Sequence, residues 1–166
     1  MKYFYFLNLH RHIRFFSIAI IILLLSSCAG NKSTGKKNDT VDTIIKTARS
    51  YIGTPYKWGG TTRAGMDCSG LLYNSFLVAG ITIPRTSRDQ GKYGKKVSFY
   101  QLQPGDLVFF SAKKGSPKVT HVGMVTAVKD KHNVQFIHAS SSLGVVENNI
   151  YSKYYRSIFV KARRPF

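Results

Sequence analysis

The 166-residue chain is short of acidic residues, of cysteine and of long apolar runs. Seven Asp and Glu stand against 25 Lys and Arg, a net charge of +18, so its field favours polyanions such as nucleic acid, anionic lipid or carboxylate-rich cell wall. Charge alone does not choose among them. With two cysteines, the chain is no disulfide-stapled scaffold. The main apolar run, Phe15 to Leu25, is eleven residues long, whereas a bilayer-spanning helix needs about 20. Internal repeats and low-complexity stretches are lacking, which excludes solenoids and arrays. What is present is material for a core, at 43% hydrophobic and 13% aromatic, in a length that fits about one domain.

The apolar run follows Lys2, Arg11 and Arg14 and precedes Leu25-Ser26-Ser27-Cys28-Ala29. Its layout is that of a signal peptide covering residues 1–27. The ending resembles the bacterial lipobox, which implies cleavage before Cys28 and a lipid on that residue. The mature chain would then run 139 residues from Cys28 to Phe166, and loss of three basic residues leaves 22 against seven acidic ones, or +15. Residues 28–40 are small, polar and aperiodic after the lipidated Cys28, so they read as a flexible tether to a domain at 41–166.

With Cys28 modified, Cys68 is the one remaining thiol, and an unpaired cysteine in an exported protein has two readings, inert core residue or reactive group. Its neighbours favour the second. Asp67-Cys68-Ser69-Gly70 precedes a helical face of Leu71, Leu72, Ser75, Phe76 and Ala79, which puts Cys68 in a first helical turn with Asp67 as N-cap. The partial positive charge and free N–H groups there favour thiolate and can receive an oxyanion. Upstream, Val41, Ile44, Ile45, Ala48 and Ile52 predict an amphipathic helix over Val41 to Tyr51, capped by Asp39 or Thr40. A short helix or turn is expected around Thr86 to Tyr93.

From Leu102 the period becomes that of strands, at Leu107 to Phe110, Val119 to Val128, Val134 to His138, Val145 to Val146 and Ile158 to Ala162. Helices first and an antiparallel meander afterwards predict an α+β fold, N-terminal helices packed on the sheet. Activating a thiol takes a base and a group to orient that base. Of the three histidines after Cys28, His132 lies in a turn, while His121 opens one strand and His138 closes the next. A tight turn tipped by Asp130 and Lys131 sets Lys129 opposite His132, an odd sum of positions, and pairs His138 with Gly123, diagonal to His121 on one face. A bulge or a longer loop changes that result.

The segments Thr54-Pro55-Tyr56-Lys57-Trp58-Gly59-Gly60, Asp67-Cys68-Ser69-Gly70, Pro84-Arg85-Thr86-Ser87 with Gln90, Pro104-Gly105-Asp106-Leu107-Val108-Phe109-Phe110, His121-Val122-Gly123-Met124-Val125 and Phe136-Ile137-His138-Ala139-Ser140 together resemble the NlpC-type cell-wall cysteine peptidases, in order and from about Thr40 to the end. The resemblance implies a papain-like fold and hydrolysis of the γ-D-glutamyl bond to a diamino acid in peptidoglycan stem peptides. Cys68 would be the nucleophile, His121 the general base and His138 the polar residue orienting it, a position that varies in the family. Tyr56 matches a tyrosine on the oxyanion side. The expected resting state is a Cys68 thiolate with a His121 imidazolium, and the reaction needs no metal or other cofactor.

Asp67 reads as groove-lining or as a cap alone, Ser69, Ser87 and Gln90 as groove-lining or as satisfying local backbone, and Arg85 as a fork for a substrate carboxylate or as plain surface charge. Three rival readings stand beside the peptidase: a zinc hydrolase using Cys68, His121 and His138, a non-catalytic basic lipoprotein that binds wall, and a thiol amidase or acyltransferase. The expected setting is the cell envelope, with a monomer held by its Cys28 lipid at the outer membrane facing the periplasm. Nucleic acid is not expected as a partner, since no reading motif is present.

Overall fold

The computed structural model describes residues 32–166, with one compact unit over Asn38–Phe166. The signal peptide and Cys28 lie outside the described residues. Helix α1, Lys32–Arg49, buries Val41, Ile44, Ile45 and Ala48, the stripe read from the sequence. Its start differs from the expectation, because the backbone at 32–40 is helical where an aperiodic tether was read. Polar residues cost only tenths of a kcal/mol each in a helix, so one already nucleated by a buried stripe extends through them.

After a two-stranded hairpin of β1 (Thr61–Thr62) and β2 (Gly65–Met66) comes helix α2, Cys68–Val78, with Asp67 as its N-cap as expected. Helix α3, Ser87–Gln90, leads to the edge strand β3, Lys95–Val97. The main sheet then continues with β4 (Leu107–Phe110), β5 (His121–Asp130), β6 (Asn133–Ser140) and β7 (Gly144–Asn149). Helix α4, Lys153–Ile158, precedes the last strand, β8, Phe159–Arg164. The six-stranded order β3-β8-β4-β5-β6-β7 contains the expected meander β4 to β7, with β8 returning between β3 and β4, and the pairings are antiparallel.

Strand β4, Leu-Val-Phe-Phe, is buried on both faces and so divides the core in two. Leu107 and Phe109 join Leu71, Leu72, Phe76, Val122, Met124 and Ile137 under the helices. Val108 and Phe110 join Val125, Val134, Phe136 and Ile150 on the other face, closed by Phe99, Tyr151, Tyr155 and Phe159. This is the α+β layering expected, with the start of α2 set against the end of the sheet that carries both histidines.

Candidate active site

The Cys68 side is built from two glycine-containing motifs locked together. An isolated bridge pairs Tyr56 with Met66, and Met66 N–H donates to Pro55 O at 3.0 Å, which holds Tyr56 beside the turn into α2. Asp67 N–H donates to Gly60 O at 3.1 Å. A Cβ on Gly70 would stand 2.4 Å from Gly60 O, so a side chain there would push the two loops apart. Asp67 is saturated: Oδ1 accepts from Gly70 N–H at 2.6 Å and from the Ser69 hydroxyl at 3.0 Å, and Oδ2 from Gly59 N–H at 2.9 Å. Arg85 grips both oxygens with its two Nη groups at 3.0 and 2.8 Å and also donates to Ser69 Oγ at 2.9 Å.

The histidine side comes from β5 and β6. Met124 pairs with Ile137 and Val125 with Phe136, the register expected, which continued one step sets Gly123 against His138. The turn is not the one expected, since Asp130 pairs with Asn133 and Lys131 and His132 form its tip. Two one-residue register shifts, between Val125 and Ala127 and between Val128 and Asp130, bring the pairing back to the expected register. His121 Nε2 and His138 Nδ1 therefore meet at 2.9 Å. Gly123 leaves the space, because a Cβ there would lie 2.6 Å from the ring of Phe136, which stacks on His138 at 4.9 Å.

Burial sets the charges on this side. Enclosure by protein, with His138 adding to it, lowers His121 from its usual value to about 3. Burial likewise lowers His138, against the opposing hydrogen bond of Asn148. The Cys68 thiol is pushed up by burial and by the charge of Asp67, although the N–H groups of Val122, Ser69 and Cys68 itself pull the other way. Burial thus favours thiol and neutral imidazole, and opposes the thiolate–imidazolium pair that the helix terminus favours. The desolvation cost of two charges exceeds what the N–H groups return. Burial also raises Tyr56, with the charges of Cys68 and Asp67 adding to it, so its hydroxyl keeps its hydrogen and can donate.

One groove lined by Tyr56, Thr120, His121, His138 and Tyr155 adjoins another lined by Tyr56, Asp67, Cys68, Ser69, Arg85, Ser87 and Thr120. Tyr56 and Thr120 border both, so the groove of Cys68 and that of His121 meet there. The zinc reading needs Cys68, His121 and His138 to converge on a point, yet the histidine nitrogens face each other.

A model of the NlpC/P60 family matches residues 53–164. The chain belongs to the NlpC/P60 family. It is 37% identical over 158 residues to the probable endopeptidase NlpC of Escherichia coli, covering 91% of this chain and 99% of that protein. It is 40% identical over 89 residues to the γ-D-glutamyl-L-lysine dipeptidyl-peptidase of Bacillus subtilis, covering 54% of this chain and 30% of that protein. A crystal structure of an NlpC/P60 family protein from Bacillus cereus superposes with a TM-score of 0.68 at 34% identity, covering 75% of this chain and 39% of that one. The chain thus spans nearly all of the NlpC relative and about a third of the two Bacillus proteins. The papain-like fold and the kinship with NlpC-type cell-wall peptidases are as expected from the sequence.

Within this NlpC/P60 domain the structure gathers Cys68, His121, His138, Tyr56, Asp67, Ser69, Arg85 and Ser87 about the groove. Arg85 is not free surface charge: its fork is occupied by Asp67. Gln90 departs from its groove-lining reading. It is fully buried, and its Nε2 donates to Ser69 O at 3.1 Å and Pro84 O at 2.8 Å, tying α3 to the start of α2. Asn148 and Tyr155, both within hydrogen-bond reach of His138, escaped the sequence reading. The signal available was parity across the β6–β7 hairpin, but only Val145 to Val146 reads as strand from composition.

Proposed function

We propose that the chain is a peptidoglycan endopeptidase hydrolysing the amide between γ-D-glutamate and a diamino acid in stem peptides, with Cys68 as nucleophile and His121 as base. The observation that carries this is the 2.9 Å contact between His121 Nε2 and His138 Nδ1, beside a thiol at the start of a buried helix. The name of the Bacillus subtilis relative supports the bond, since it is a γ-D-glutamyl-L-lysine peptidase.

The remaining nitrogen of His121, Nδ1, takes the thiol proton as Cys68 Sγ attacks the amide carbonyl. Because both partners start neutral, proton transfer accompanies attack and charge appears only with the tetrahedral oxyanion. N–H groups at the start of α2 and the Tyr56 hydroxyl are placed to receive that oxyanion. His121 then protonates the leaving amine, and water hydrolyses the thioester. Asp67, Ser69 and Arg85 form a polar floor next to Cys68, the part of the groove suited to the charged end of a stem peptide, with Ser87 at its rim.

The same reading places the protein in the cell envelope as a monomer, held by a lipid on Cys28 after removal of residues 1–27, at the outer membrane facing the periplasm. The apolar run followed by Leu25-Ser26-Ser27-Cys28-Ala29 supports the lipid anchor. The positive surface then holds the domain near anionic wall, and raised salt weakens that association, since exposed charges are screened over about 8 Å at physiological ionic strength. Sacculus binding unchanged in high salt overturns that steering role.

The deciding experiment is mass spectrometry of purified peptidoglycan fragments incubated with the full chain or with Cys68→Ala. Release of a diamino-acid-containing peptide by the unsubstituted protein alone is expected. Intact fragments with both reduced, folded proteins would move the weight to a wall-binding lipoprotein or an acyltransferase.

A further inference from the structure

The histidine side of the site does not end at His138. Its outer nitrogen, Nε2, lies 2.9 Å from Asn148 Oδ1 and 3.1 Å from Tyr155 Oη, and that hydroxyl donates to the same amide oxygen at 3.0 Å. Asn148 comes from β7, where Phe136 pairs with Asn148 and His138 with Val146, so it is the diagonal neighbour of His138 on one face. Tyr155 comes from α4 and stands edge-on to Phe136 at 4.8 Å, the ring on which His138 stacks. Four side chains from β5, β6, β7 and α4 thus form one hydrogen-bonded row: His121, His138, and then Asn148 together with Tyr155.

We propose that Asn148 is a positioning residue whose amide oxygen, with the Tyr155 hydroxyl, fixes the tautomer of His138 and through it the tautomer of His121. Its consequence for catalysis rests on the peptidase reading above; the tautomers themselves do not.

An amide oxygen has lone pairs and no hydrogen, so the ring nitrogen 2.9 Å from Asn148 Oδ1 must supply one. His138 therefore carries its hydrogen on Nε2. The single hydrogen of Tyr155 is directed at Asn148, which leaves the phenolic oxygen as a second acceptor for that same Nε2–H. A neutral imidazole protonated on Nε2 is bare at Nδ1. His138 Nδ1 faces His121 Nε2 at 2.9 Å, so the hydrogen between the rings belongs to His121. His121 is then bare at Nδ1, the nitrogen left to receive the thiol proton.

Each step follows from the one before, and the first is set by an oxygen two side chains away from the base. Burial holds both rings neutral, and only a neutral ring has a tautomer to choose. Without the amide oxygen, His138 is released to carry its hydrogen on Nδ1. The row then reverses, and the hydrogen of His121 moves to Nδ1, where it blocks acceptance of the thiol proton. Mis-set tautomers of this kind disable a triad while leaving its geometry intact.

The test labels the full chain with 15N-histidine and reads the tautomers of His121 and His138 from long-range proton–nitrogen correlations, beside steady-state kinetics on stem peptide. Both rings are expected as Nε2–H in the unsubstituted protein. Asn148→Leu should bring up the Nδ1–H form of His121 and lower kcat about 10- to 100-fold with KM little changed. Asn148→Asp keeps an oxygen that only accepts. It should retain both Nε2–H tautomers, restore most of kcat and, by stabilising protonated His138, move the acidic limb of kcat to higher pH. Tyr155→Phe should fall between. A His138 hydrogen on Nδ1 in the unsubstituted protein overturns the proposal without any variant, as does an Asn148→Leu protein with unchanged tautomers and kcat. Tautomers as stated without Cys68-dependent peptide release would instead remove the peptidase reading and leave the proposal standing.

Discussion

On the Cys68 side of the groove a charge is kept, and on the His121 side charges are refused. Burial pushes the Asp67 carboxyl up, but Arg85, the N–H of Gly70 and the Ser69 hydroxyl outweigh it and hold the group below its usual value. The two histidines are more deeply enclosed and have no cation or carboxylate among their hydrogen-bond partners, so they stay neutral. One side answers desolvation by satisfying each lone pair of an ion, the other by discharging it, and both outcomes are defined protonation states. In the proposed mechanism a thiol between them needs both: an anchored helix start on one side and an empty base nitrogen on the other.

The largest effect should come from removing the neutral side. His121→Ala deletes the proposed base and should lower kcat by about 10²- to 10⁴-fold while the Asp67–Arg85 pair stays in place. Peptide release within tenfold of the unsubstituted protein would place the base elsewhere.

Acid should then separate the two sides. Above pH 6.5 folded and unfolded histidines are equally neutral and nothing is lost. Below it the unfolded chain binds protons that the buried ring of His121 refuses until about pH 3, so stability falls with pH across that window. By pH 4 the loss from His121 is about 3 kcal/mol, and His138 adds to it with the same sign. Asp67, held below its usual 3.8, loses its contribution only at still lower pH. Denaturant midpoints measured from pH 7 to 4 should fall steeply for the unsubstituted protein and less for His121→Ala. Parallel curves would show that burial does not hold His121 neutral.

Next in size is Asp67→Asn, which leaves Arg85 without its anion. About 2 kcal/mol of stability should go, less than for a fully enclosed pair because the Arg85 side chain is 35% exposed and can turn to water. The same change removes a negative charge that raises Cys68, so the pH profile of thiol alkylation should move to lower pH. A profile displaced upward would mean that loss of the cap outweighs loss of the charge.

How much of this was legible in the sequence follows from which interactions are local. Asp67 as cap and Cys68 in the first turn are spelled out within four residues, and β4 through β6 announce themselves by apolar and β-branched runs. The register joining His121 to His138 was reached through a turn one residue out of place, and it held because two irregularities in the hairpin offset that error. Short elements were missed for compositional reasons: Lys95–Val97 carries two lysines, and Lys153–Ile158 has tyrosines that favour strand. Partners far apart in sequence stayed hidden. Arg85 meets Asp67 across 18 positions, and Tyr155 meets His138 across 17, contacts that only the packed sheet and helices create.

The smallest effect belongs to an ion pair outside the site, and it calibrates the rest. Arg49 Nε and Glu147 Oε1 lie 2.8 Å apart, the same separation as the closest Arg85–Asp67 contact. Distance therefore does not distinguish them; surroundings do. The Arg49 side chain is 43% exposed and Glu147 25%, against 35% and 11% for Arg85 and Asp67. Asp67 also accepts from two backbone N–H groups and a hydroxyl, whereas the hydrogen bond shown for the Glu147 carboxylate is that from Arg49. Glu147→Gln should cost under about 1 kcal/mol and nothing measurable in high salt, while the cost of Asp67→Asn persists there. Equal costs for the two substitutions, in low salt and in high, would mean that the bonds shared around Asp67 contribute nothing beyond the ion pair, and that the charged side of the site is held by the rest of the helix start.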